Sequence, residues 1–218
     1  MSKVYCVSLN KTGIFMIGDR RATYLNDDGS VSERQDNFQK VFKVGPNLLV
    51  GIAGNADYSA KAVKFVKSVV NDDEDYNYPE GLAQFIGEQF RSSFKNLPQK
   101  LQPSILIAGY SLTGNSHLFK IAPGNGYLTT NSHYNMFGEY SDNALEQIGM
   151  WDVSYDAALK SELNAYFTKR WMPCRWRHII SKLRKAMSYY ANTYDSISSE
   201  TDEASILYLP KGVAFNRS

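Results

Sequence analysis

Three residues near the start of the chain have types that together support acyl-transfer chemistry: Ser2, Asp19 and Lys40. Ser2 follows Met1 directly, and small second residues favour removal of the initiator Met. The expected product is an N-terminal serine that carries a hydroxyl and a free α-amine on one residue. Such an amine titrates near neutrality, at about pH 7.7–8.0 in model compounds. It can therefore take the hydroxyl proton as a general base while the oxygen attacks a carbonyl. Met-Ser starts are common, so the weight of this reading falls on the elements that must bring Asp19 and Lys40 to Ser2.

The first 18 residues read as a hairpin. Val4, Cys6 and Ser8 alternate with Tyr5, Val7 and Leu9, Asn10–Gly13 has turn chemistry, and IFMIG runs apolar. Asp19 follows at once, at the end of a buried strand. Residues 26–36 are polar and rich in turn formers, which predicts a loop. Residues 38–44 alternate as a strand, Gly45-Pro46-Asn47 turns, and LLVGIAG is a short apolar strand closed by Gly54. Two amphipathic helices are predicted over 57–70 and 80–94, separated by an acidic loop. Strands return at 104–111 and 117–121, with further short ones up to Phe137. From 142 to 193 the pattern reads as helical, with Pro173 starting or breaking a helix. A strand over 204–209, a Lys-Gly turn and VAF close the chain. This order predicts an α+β fold: a four-layer α-β-β-α sandwich with two mostly antiparallel sheets inside, in a single domain over 1–218.

Composition sets bounds. The 218 residues are 43% hydrophobic and 21% charged, with a net charge of +2, so no obligate polyanion partner is implied. No stretch has the length of a membrane span, and the first thirteen residues lack the apolar run of a signal peptide. Cys6 and Cys174 form neither a metal motif nor a disulfide framework, and a reducing cytoplasm is expected. His117, His133 and His178 share no ligand spacing, so neither metal nor cofactor is expected. The basic stretch 169–185 carries two tryptophans; a subunit interface or a solvated helix face is the favoured reading, with a nucleic-acid-associated module as an alternative.

The motif order resembles the proteasome β-type superfamily of N-terminal nucleophile hydrolases, which includes HslV-type peptidases and the bacterial Anbu group. Gly18-Asp19-Arg20-Arg21-Ala22-Thr23 is similar to the family's G-D-x-R-x-T segment, and its distance from the start places Ser2 at the nucleophilic Thr. Asn37–Val41 resembles the strand that carries the catalytic Lys, with Lys40 in that place. Gly51-Ile52-Ala53-Gly54 resembles the turn whose Gly amide, here Gly54, forms the oxyanion hole. Asp195-Ser196-Ile197-Ser198 resembles the D-x-x-S pair that supports the nucleophile's amine, which implies Asp195 and Ser198.

The resemblance implies division of labour. Ser2 supplies the oxygen and its α-amine the base. Lys40 stays positive and lowers the pKa of both. Asp19 orients Lys40, and Gly54 stabilises the oxyanion, where one such donor is worth about 2.7–4 kcal/mol. Thr23 and Ile52 are expected to line the substrate, and Arg21 to make a structural ion pair. Ser2 lacks the methyl group that restricts threonine's rotamer, so slower, more ester-directed chemistry is expected. The family's G-S-G is read at Gly138-Glu139-Tyr140, with Glu139 in place of the Ser that orients the amine; this pair leans toward the Anbu group. The resemblance further implies a cytoplasmic peptidase that assembles with copies of itself into a ring or helix, acts on peptides or unfolded proteins and works with an ATP-dependent unfoldase in some members. A non-catalytic scaffold subunit is the alternative within the family.

Overall fold

The computed structural model describes residues 2–25, 30–72, 78–98, 101–167 and 175–208. The expectations on Pro173, on Cys174, on residues 73–77 of the acidic loop and on the turn after 208 lie outside these residues.

Two sheets form the middle of the molecule. The first contains β1 (Lys3–Leu9), β2 (Gly13–Asp19), β10 (Asn143–Gly149) and β11 (Thr201–Leu207), in the order β10-β1-β2-β11. The second contains β5 (Val41–Lys43), β6 (Leu48–Ala53), β7 (Ser104–Tyr110), β8 (Ser116–Ile121) and β9 (Thr130–Asn131), in sequence order. All of their pairings are antiparallel. Helices α1 (Ala56–Asp72) and α2 (Pro79–Phe94) cover the second sheet, and α3 (Val153–Phe167) and α4 (Arg175–Thr193) cover the first.

The four-layer expectation is therefore borne out, and three apolar cores occupy the three spaces between layers. Every residue of β1 and β2 is buried because both faces of the strands are covered. Val4, Cys6, Ile14 and Met16 enter the core between the sheets, where they meet Leu49, Leu106 and Leu118. Tyr5, Val7, Phe15 and Ile17, one residue out of phase, pack against Leu163, Ile179, Leu183 and Tyr190 of α3 and α4. The strand period of two thus feeds two cores from one hairpin. Val50, Ile52, Ile105 and Ile107 face Val66, Leu82, Ile86 and Phe90 of the first helix pair.

Two elements depart from the sequence reading. Residues 26–36 are not loop throughout: β3 (Ala22–Leu25) pairs with β4 (Val31–Gln35) as a hairpin standing beside the main sheets. Its second strand, VSERQ, is largely exposed and polar, which hid it. The predicted helical stretch from 142 begins instead with strand β10, and α3 starts only at Val153. Ala144 and Ile148 satisfy a helical spacing, yet on a strand they share one face and enter the inter-sheet core. Pairing with β1 along seven residues outweighs the helix preference of Ala, Leu, Glu and Gln. No described helix is long and apolar enough to cross a membrane.

Candidate active site

The β1–β2 pairing puts Val4 opposite Gly18, so the chain before Val4 runs alongside Asp19. Asp19 is wholly buried and uses both oxygens. Oδ1 accepts from the Lys3 backbone N–H at 2.7 Å, and Oδ2 accepts from Lys40 Nζ at 2.7 Å and the Arg21 N–H at 3.0 Å. The Ser2–Lys3 peptide is therefore one carboxylate away from the Lys40 ammonium. Ser2 itself is buried, and its carbonyl oxygen accepts from the Met150 N–H at 2.7 Å.

Lys40 lies just before β5 and is held at several points. Its Nζ also donates to the Arg21 carbonyl at 2.5 Å, its own carbonyl accepts from the Ile52 N–H at 2.9 Å, and its N–H donates to Asp202 Oδ2 at 2.8 Å. Burial pulls the Lys40 ammonium below the ordinary lysine pKa, and the carboxylate of Asp19 opposes that pull. The result is a desolvated cation beside the segment that carries Ser2. Burial likewise raises the Asp202 carboxyl above its usual range.

Arg21 is the ion-pair residue expected, with a wider reach. Its guanidinium forks onto Asp36, both contacts at 2.6 Å, and its third nitrogen donates to the Asp195 carbonyl at 2.6 Å. The Arg21 guanidinium holds the Asp36 carboxyl below the usual range, and the nearby Ser198 hydroxyl lowers it further. Ser198 is buried, and its Oγ also accepts from the Glu200 N–H at 3.1 Å. Asp195 and Ser198 therefore reach this region through the Arg21–Asp36 clamp. Gly54 follows β6 with φ +129°, a conformation side chains rarely adopt, and a Cβ there would lie 2.9 Å from the Gln102 carbonyl oxygen. Asn55 caps the first turn of α1 directly after it. The strand-to-helix turn is thus formed as expected, with Gly54 exposed at the mouth of a helix.

Thr23 is on β3, and its Oγ1 is buried with no hydrogen-bond partner among the described residues. Ile52 corrects the sequence expectation: its side chain is fully buried under α1 and α2, and its N–H is taken by the Lys40 carbonyl, so it presents neither group to a substrate. Glu139 is a second correction. It lies on the exposed tip of a loop, where its Oε2 accepts from Asn135 Nδ2 at 2.7 Å. The loop is joined to the Asn143 end of β10, which pairs with Leu9, whereas Ser2 adjoins the Gly149 end. Gly149 and Met150 lie against Ser2 instead.

Sequence reading missed Lys3, Asp36, Gly149, Asp156, Tyr190 and Asp202. Lys3 carried a signal: it has the strand parity of Tyr5, Val7 and Leu9, so a charge there demands a buried counter-ion. That partner is Asp156, at 3.0 Å. The basic segment of α4 is partly neutralised, with Lys182 on Glu162 and Arg184 on Glu203, and Trp176 packs edge-on against Phe15. No cluster that could hold a metal occurs among the described residues.

A comparison with curated proteins found no match. The family model described as Proteasome subunit matches residues 9–164, a segment that contains Asp19, Lys40 and Gly54. Matched over more than half its length and folded as four layers with Lys40 buried on Asp19, the chain belongs to the proteasome subunit family.

Proposed function

We propose that this protein is a peptidase in which Ser2, freed by removal of Met1, is the nucleophile, and that it acts within an oligomer of its own copies. The observation that carries the reading is the Asp19 carboxylate bound at once to the Lys3 N–H and to the buried Lys40 ammonium. Ser2 Oγ attacks the substrate carbonyl, and the α-amine takes its proton. The tetrahedral oxyanion is stabilised by the Gly54 amide. Collapse expels the amine half of the substrate, which receives the proton, and leaves an ester on Ser2; water attack releases the acid half. Lys40 favours both the alkoxide-like oxygen and the neutral amine through its positive charge. The unpartnered Thr23 hydroxyl fits a role in binding the substrate backbone.

Intact mass after expression is expected to show loss of Met1. A β-lactone probe is expected to add to Ser2, located by peptide mapping, and Ser2→Ala is expected to lose the adduct. A retained Met1, or undiminished labelling of Ser2→Ala, rejects the mechanism and leaves the scaffold reading. A cytoplasmic location and an unfoldase partner belong to the same proposal.

A further inference from the structure

Asp19 holds the Ser2–Lys3 peptide by its N–H, and a second device holds it by its carbonyl. The Ser2 oxygen accepts from Met150 N–H at 2.7 Å, and the Met150 carbonyl accepts from Lys3 Nζ, also at 2.7 Å. Lys3 thus reaches around to grip the residue that grips its own peptide bond. We propose that the buried Lys3–Asp156 ion pair is a positioning device for Ser2, acting through Met150. Its catalytic meaning rests on the reading of Ser2 as nucleophile; its mechanical meaning does not.

Placing a lysine side chain entirely inside a core is costly unless every proton finds an acceptor. Here the three protons of Nζ have four acceptors in reach: Gln147 Oε1, the Met150 carbonyl, Asp156 Oδ2 at 3.0 Å and Tyr190 OH at 3.2 Å. Asp156 is satisfied in turn. Tyr5 OH donates to Oδ1 at 2.6 Å, Tyr190 OH donates to Oδ2 at 2.6 Å, and the Asp152 N–H reaches Oδ2 at 3.3 Å. Strand β1 is thereby tied to the first turn of α3 and to α4. Simple packing would be served by an apolar side chain at this parity, as it is at Val7 and Leu9. What the ammonium adds is a donor for Met150. That residue follows Gly149, whose φ of +92° lies in the left-handed region, at the end of the β10 ladder. Gly149 packs so closely that a Cβ would fall 1.8 Å from the Ser2 oxygen. With Met150 fixed, the Ser2–Lys3 peptide is held at both polar atoms, by Met150 and by Asp19.

The test compares Lys3→Met and Asp156→Asn with the unaltered protein, using two readouts. The first is backbone amide hydrogen exchange at Met150 relative to Val7 and Leu145 in the middle of the ladder. The second is the saturation kinetics of β-lactone labelling. Lys3→Met is expected to speed Met150 exchange and to lower the maximal labelling rate, each by roughly 10- to 100-fold. Mid-ladder exchange, the probe's half-saturation concentration and Met1 removal are expected to stay unchanged. Asp156→Asn is expected to move both readouts the same way by less. Unchanged Met150 exchange, or exchange accelerated equally along the whole ladder, overturns the proposal. An unlabelled wild-type protein rejects the nucleophile reading, while Met150 exchange still decides whether the ion pair positions Ser2. Should Lys3→Met not fold, Asp156→Asn and Tyr190→Phe decide by the same exchange ratio.

Discussion

Asp19 and Lys40 show how one pair of charges can be both a structural demand and a chemical tool. Each is nearly or wholly buried, so neither tolerates loss of the other. Asp19→Asn leaves the Lys40 cation uncompensated, and urea denaturation is expected to show a loss of about 3–5 kcal/mol. Lys3 allows a test of sign. Burial lowers its pKa from the usual lysine value to about 8, against the opposing pull of Asp156. Between that value and the ordinary lysine pKa, the unfolded chain binds more protons than the folded one. Stability contributed by this group therefore rises with pH through that window and is flat below it. Denaturation at a series of pH values is expected to show this slope as the difference between the wild type and Lys3→Met. An equal pH dependence in both proteins would contradict it.

At the level of elements, the site depends on where strands stop. Asp19 ends β2, Gly54 follows β6, and Gly149 ends β10, so the functional groups collect where ladder hydrogen bonding gives way to other partners. Gly149→Ala sets a methyl against the Ser2 carbonyl in a left-handed backbone. A loss of roughly 3 kcal/mol or more is expected in denaturation, together with loss of probe labelling. Gly126→Ala is the matched control. It has φ +66° with nothing within 4 Å of its Cβ, so only the conformational cost of about 1–2 kcal/mol is expected, with labelling intact. The Arg21–Asp36 fork is the other device at this scale, since it fastens β3–β4 to the turn holding Asp195 and Ser198.

The whole molecule is stabilised by three separate cores, and Cys6 reports on the middle one. It is fully buried between the sheets, and burial pushes its thiol far above the usual range. In a Cys174→Ser background, Cys6 is expected to resist thiol reagents in the folded protein and to react only as fast as the molecule unfolds globally. Rapid alkylation under native conditions would mean that the two sheets separate locally. A cavity of about 330 Å³ between β10 and α3 reaches Tyr5 and Asp156, yet Ser2, Asp19 and Lys40 do not line it.

Local pattern by itself determined the β1–β2 hairpin, both α1 and α2, the apolar strand ending at Gly54 and the acidic end of β2. In each, a clear period or turn signal coincided with burial. The pairing of Asp19 with Lys40 was legible through the family resemblance, which implies that Asp19 orients Lys40. Tertiary structure alone decided β10, whose helix-forming residues became a strand once β1 offered seven backbone partners. It also decided that Gly149 and Met150, rather than Gly138 and Glu139, lie against Ser2. It turned Ile52 inward and joined Lys3 to Asp156 across 153 residues of chain. Those outcomes depend on which backbone groups and charges meet after the layers close, and sequence spacing carries no measure of that distance.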